Sequence, residues 1–298
     1  MGWARSFGRP EVRIATRFME DIRTGSYIQR CRTFKMTETE AIVTAAKHYC
    51  IDNFRYWSNR YQNERTGNDF PYTYTDNDYN LFPRYNALSA IRQGIEYFTG
   101  KEFQDIKSCK LILIKTGKES QSPFTEKTQN KIEQKAIQEE RDKFVQFIDN
   151  IESSVLKTVE PLPYRRRLKD DERETIRQVL TDKWRVDGYW VPLIESSPEV
   201  TTIFLDKENL TERDETQIAD FIKQKAEGRL YEITEEQLDY EIDQSEFDID
   251  CYETFYCDKT FNWLVYGSHE GTLAFGGKEL LDFVQQVFAD RKEMINNW

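Results

Sequence analysis

The amino-acid sequence predicts an α+β protein. A mainly α-helical N-terminal domain should span residues 1–158, and an acidic α+β domain with a mostly antiparallel sheet should span 159–298. Three observations predict this. Long segments of the first half carry apolar residues at three- and four-residue steps. The run Val159-Glu160-Pro161-Leu162-Pro163 cannot be helical, because each proline restricts its own backbone and that of the residue before it. Beyond it, short aromatic and β-branched runs mix with helical segments without a strict βαβ repeat. A chain of 298 residues suits two ordinary domains.

In order along the chain, Glu11–Arg23 has helical spacing through Val12, Ala15, Phe18 and Met19, and Tyr27–Phe34 reads as extended. Thr37-Glu38-Thr39-Glu40 is a capping box that opens a helix to about Glu64. Ile42, Ala46, Tyr49, Cys50, Phe54, Trp57 and Tyr61 form its apolar stripe. Arg65–Tyr85 reads as a loop, because Gly67, Asn68, Pro71, Asn77, Asn80 and Pro83 break regular structure. Its Tyr, Asn and Asp content also suits a binding loop. Asn86–Thr99 reads as a helix ending at Gly100, and Leu111–Ile114 as a short apolar run. Thr125 should cap a polar helix to about Ile151.

In the second half, Tyr164–Leu168 reads as a strand carrying Arg165, Arg166 and Arg167, with Arg166 on the face opposite its neighbours. Asp170 or Asp171 should cap a helix facing inward through Ile176, Val179, Leu180 and Trp184. Gly188–Leu193 and Thr201–Leu205 read as strands, and Thr211–Glu227 as an amphipathic helix stopped by Gly228. Asp248–Tyr256, Phe261–Tyr266 and Thr272–Phe275 read as successive strands before a helix over Lys278–Lys292. The stretch from Asn262 to Gly277 is thus a hairpin feeding the last helix, with His269 in its turn.

Composition bounds the function. The aromatic content of 14% can build a core despite 32% charged residues. No apolar run is long enough to span a membrane, and the N-terminus lacks a signal peptide's apolar centre. The five cysteines form no Cys-x-x-Cys pair and read as buried thiols of a cytoplasmic protein. The net charge of −11 is uneven: Glu195–Asp258 holds 20 acids against 5 bases, while Met1–Lys35 holds 8 bases against 3 acids. That balance disfavours nucleic acid, whose phosphates demand positive charge.

Two constellations could carry function. The first is acidic: Asp239, Glu241 and Asp243 alternate with apolar residues, as do Asp248 and Asp250, and Glu253 follows. On a strand this spacing puts the acids on one face. They are then a solvated face, a surface for a basic protein partner, or, at Asp248 and Asp250, a metal site. The second is His269-Glu270, where a carboxylate could orient an imidazole base. No nucleophile elbow and no His-Glu-x-x-His motif accompanies it. His48 and Asp52 read as a structural pair, and Gly276-Gly277 as a tight strand-to-helix turn.

These features predict a cytoplasmic protein-interaction module without a cofactor, binding a basic partner through its acidic domain. A bacterial immunity- or defence-type protein that holds a toxin or nuclease is one form of it. The alternatives are a metal-dependent hydrolase or nuclease using His269, Glu270 and nearby acids, and a structural subunit of a larger assembly.

Overall fold

The structure, a computed structural model, describes residues 36–65, 73–193, 200–235 and 238–297. The segments Glu11–Arg23 and Tyr27–Phe34, together with Cys31, Gly67, Asn68 and Pro71, lie outside them. The chain divides into two compact units, Met1–Pro161 and Leu162–Trp298. The fold is α+β: helices dominate the first half and an antiparallel sheet the second.

The first unit contains α1 (Glu38–Glu64), α2 (Asp76–Glu96), α3 (Ile106–Glu119), α4 (Lys131–Asn150) and the single turn α5 (Ser153–Leu156). Thr37 and Glu40 close the expected capping box on α1, and Ile42, Ala46, Cys50, Phe54 and Trp57 are buried along it. α1 packs along α2, and α2 and α3 pack on α4. Two sequence expectations change here. Helix α2 begins at Asp76, inside the expected loop, because Thr75 and Asp78 form a second capping box. Pro83 sits within that helix and removes one backbone donor. Burial of Leu81, Tyr85 and Leu88 against Phe54 and Trp57 outweighs this loss, since each such side chain contributes about 1.5–3 kcal/mol. Likewise α4 is capped by Asn130, whose Oδ1 accepts from Ile132 N at 2.8 Å. Thr125 instead accepts from Ser122 N in a turn. Leu111–Ile114 lies within α3.

The second unit contains β1 (Arg165–Arg167), α6 (Asp170–Trp184), the small hairpin β2 (Val186–Asp187) and β3 (Tyr189–Trp190), β4 (Thr202–Asp206), α7 (Glu212–Lys225), β5 (Arg229–Thr234), β6 (Tyr240–Asp243), β7 (Thr254–Cys257), β8 (Leu264–Gly267), β9 (Thr272–Gly276) and α8 (Lys278–Val287). Among the described residues, seven strands form one antiparallel sheet in the order β1-β6-β5-β7-β8-β9-β4. Ile218 and Ile222 of α7, Leu280, Leu281 and Val284 of α8, and Phe288 just after it share a core with Leu205, Ile242, Tyr256, Val265 and Phe275. Ile176, Leu180 and Trp184 of α6 share the opposite core with Phe255, Leu264 and Ala274. Covered on both sides, β7, β8 and β9 are buried at every position. They therefore read as continuous apolar runs rather than alternating ones.

Other expectations shift for local reasons. Asp248–Glu253 is loop rather than strand: Asp248 Oδ1 accepts from Asp250 N at 2.9 Å, and Glu253 has a left-handed φ of 46°. Only Tyr189 and Trp190 of the expected Gly188–Leu193 strand pair in a ladder. The interior strand β5 has no counterpart in the sequence pattern, because it follows the charged end of α7 and carries Arg229 and Glu232.

Candidate functional site

The sheet register gathers several strand ends in one place. Thr234 of β5 lies opposite Thr254 of β7, which lies opposite Gly267 of β8. Thr272 of β9 lies opposite Asp206 of β4 at the same end. The β8–β9 turn sits here. Ser268 Oγ accepts from Glu270 N at 3.1 Å, and Gly271 takes a φ of 80°. Gly267 has no room for a side chain, since a Cβ would lie 2.3 Å from Cys251 O.

This turn presents His269, whose side chain is 52% exposed, between two carboxylates. Nε2 is 3.0 Å from Glu270 and Nδ1 is 3.4 Å from Glu253. Glu253 reaches the ring because its residue bridges two strand ends, with its carbonyl accepting from Glu235 N at 3.0 Å. Behind it, the buried Tyr266 hydroxyl donates to Glu235 Oε1 at 2.5 Å. Burial holds the Glu235 carboxyl above the usual carboxylate range; Tyr266 pulls it partly back and the Glu253 charge pushes it up again. Burial and Glu235 together raise the Tyr266 hydroxyl. Sequence alone links His269 only to Glu270. The partners Glu253, Glu235 and Tyr266 follow from pairing β5, β7 and β8, and the chemical signal for them is slight.

The two carboxylates approach opposite nitrogens of the imidazole, so one ion cannot take all three groups. Among the described residues no three His, Cys, Asp or Glu side chains are grouped to hold a metal. Asp248 and Asp250 are joined through a backbone turn rather than through a shared ligand position.

The remaining predicted acids divide in two. Tyr240 and Ile242 enter the core, and alternation sends Glu241 and Asp243 to the opposite face as the spacing requires. That face already holds arginines. Asp239 is buried, and Arg177 donates to both of its oxygens at 2.7 Å. Glu241 accepts from Arg166 at 3.1 Å and from the Tyr164 hydroxyl at 2.8 Å. Asp243 pairs with Arg229 at 3.0 Å and caps the turn at Ser245. Asp239 is thus withdrawn from water, while Glu241 and Asp243 stay partly exposed but are each paired with an arginine of the chain.

Asp250 differs. Its side chain is 76% exposed, and Lys207 is 3.7 Å away. Glu215, at the start of α7, is held above its ordinary range by burial and then by the charges of Asp250, Glu212 and Asp214. Among the described residues, net negative charge therefore accumulates where the α7 N-terminus meets the 248–253 loop.

Other candidates resolve as structure. His48 Nε2 lies 2.9 Å from Glu160 O, and Asp52 pairs with Arg55 instead. Arg165 binds Glu232 through both nitrogens, and Arg166 binds Glu172 and Glu241. A Cβ on Gly276 would strike Trp184 and Trp190, and one on Gly277 would strike Asn262 O. Cys50, Cys109, Cys251 and Cys257 are buried free thiols, and burial pushes the Cys109 thiol up to about 11. No helix among the described residues is long and apolar enough to cross a membrane.

No family model, curated protein or solved structure matches the chain. The functional reading rests on the geometry of these side chains.

Proposed function

We propose that the second unit is a protein-interaction module that binds a basic protein through Glu215, Asp250, Glu253 and Glu270. The observation that supports this most is the Glu215 carboxyl, which is crowded by Asp250, Glu212 and Asp214, while Lys207 offsets Asp250 and Arg291 offsets Asp214. A lysine or arginine of a partner would relieve that repulsion on docking, and the field would steer its approach. The acids already tied to Arg166, Arg177 and Arg229 contribute little, which narrows the surface from the six predicted residues to the end of the sheet. A basic toxin or nuclease held by an immunity- or defence-type protein has the required charge.

The test is affinity capture from source extract with the full chain and with Glu215→Lys/Asp250→Lys. A basic protein held in low salt, released in high salt and lost on charge reversal is expected. Capture that ignores both changes overturns the reading.

One observation favours a second reading, hydrolysis. His269 has a carboxylate on each nitrogen, and a carboxyl of raised affinity for protons, Glu235, lies beside Glu253. That is the material of general acid–base chemistry. Turnover of bis-p-nitrophenyl phosphate, with and without added Mg²⁺, that is abolished in His269→Ala would support it; equal rates in both proteins would remove it.

A further inference from the structure

The sheet has two edges, and the molecule guards them differently. At one edge, β1 is Arg165-Arg166-Arg167. Any antiparallel self-pairing of this strand sets arginine against arginine, which is unfavourable even with Arg165 and Arg166 each tied to a carboxylate of their own chain. At the other edge of the described sheet, β4 reads Thr202-Ile203-Phe204-Leu205-Asp206, a strand that carries no arginine or lysine. Lys207 N donates to Gly271 O across the β4–β9 ladder. By alternation Ile203 and Leu205 bond inward too, so the backbone groups of Thr202, Phe204 and Asp206 point away from the sheet.

Asn296 occupies the middle of that outward row. Its Oδ1 accepts from Phe204 N at 2.9 Å, and its own N–H donates to Phe204 O at 3.0 Å. One residue thereby supplies both hydrogen bonds that a neighbouring strand would supply. It does so from a left-handed backbone with φ of 55°, which asparagine tolerates better than most residues. The segment leading to it is anchored: Met294 and Ile295 pack on the core, and Arg291 binds both oxygens of Asp214.

We propose that Asn296 is a guard on the β4 edge, and that releasing it lets two copies of this chain join by antiparallel β4–β4 pairing centred on Phe204. The register is self-complementary. Phe204 meets Phe204 and exchanges both backbone bonds with it. Thr202 meets Asp206, Ile203 meets Leu205, and Lys207 meets Thr201, so no like charges oppose. Ile203 and Leu205 already lie on the face covered by α7 and α8, so the paired strands would extend that apolar layer.

The test is sedimentation of the full chain at several micromolar concentrations. Asn296→Pro removes both bonds to Phe204. A concentration-dependent doubling of mass relative to the unsubstituted protein is expected. Adding Thr202→Pro should reverse it, because proline at the first position of an edge strand is compatible with the fold but takes away an outward donor. Should Asn296→Pro not fold by circular dichroism, Asn296→Gly keeps the backbone angle and loses only the side-chain acceptor. Faster exchange of the Phe204 amide and a smaller rise in dimer are then expected. A folded variant with unchanged mass, or a dimer that survives Thr202→Pro, overturns the proposal.

Discussion

Arg177 grips Asp239 with two hydrogen bonds of 2.7 Å, and the same arginine donates to Thr234 O while Asp239 accepts from Thr234 N. The pair fastens α6 to the β5–β6 connection. Asp239 itself has no exposed side-chain surface. An acid that reads as part of a surface run is therefore an internal pin of the fold.

Removing one side of that pin should be costly. Arg177→Ala leaves a buried carboxylate without its cation, an error of about 3–5 kcal/mol. Asp239→Asn keeps some hydrogen bonds and should cost less, about 1–3 kcal/mol. Urea unfolding of both variants checks the order; an Arg177→Ala loss below 1 kcal/mol would contradict a structural role.

Acid stability should depend on Asp214. Arg291 first, and Thr211 second, hold its carboxyl well below the usual carboxylate range. A carboxyl lowered by folding adds stability that is complete above its unfolded value near 4 and fades as pH falls through the lower folded value. Asp214→Asn should therefore flatten the acid limb of the thermal midpoint against pH, as measured by differential scanning calorimetry.

Glu235 should behave in the opposite sense. Burial raises its carboxyl, so its ionisation works against folding as pH rises above the ordinary value. Glu235→Gln should leave stability unchanged near pH 4 and increase it at pH 7. The gain should stay within about 1 kcal/mol, because the group is partly solvated. Equal midpoints of the two proteins at both pH values would refute the raised carboxyl.

Glycines at the hairpin should differ in what they tolerate. Gly271 has positive φ but open space around it, so Gly271→Ala should cost about 1 kcal/mol of backbone strain. Gly277 combines a φ of 102° with a Cβ position 2.4 Å from Asn262 O. Gly277→Ala should be the worse of the two by about 1–3 kcal/mol, read from thermal unfolding.

Local signals in the sequence reach some of these features and miss others. The capping box at Thr37 and the hairpin turn at His269 are written in adjacent residues, and both form. Helix α2 is missed in its first ten residues because Asn77, Asn80 and Pro83 argue for a loop, while the capping pair Thr75 and Asp78 and the buried Leu81 argue for a helix. Propensity is a weak term against burial of a whole apolar face. The loop at Asp248–Glu253 fails in reverse: its alternation imitates a strand, and a side-chain-to-backbone bond at Asp248 breaks it.

The sequence by itself determined the α+β class, the Thr37 capping box and most helix stripes, and the period-two placement of Glu241 and Asp243, because each depends on residues only a few positions apart. Only the tertiary structure decided which acids keep their charge exposed and which meet an arginine. Arg166 and Glu241 are separated by 75 positions and Arg177 and Asp239 by 62, and such partners are chosen by strand register and helix packing. The same register, bringing the ends of β5, β7 and β8 together, placed Glu253 and Glu235 beside His269. Charge can be counted along a chain, but its field depends on which counter-charges the fold brings within a few ångströms.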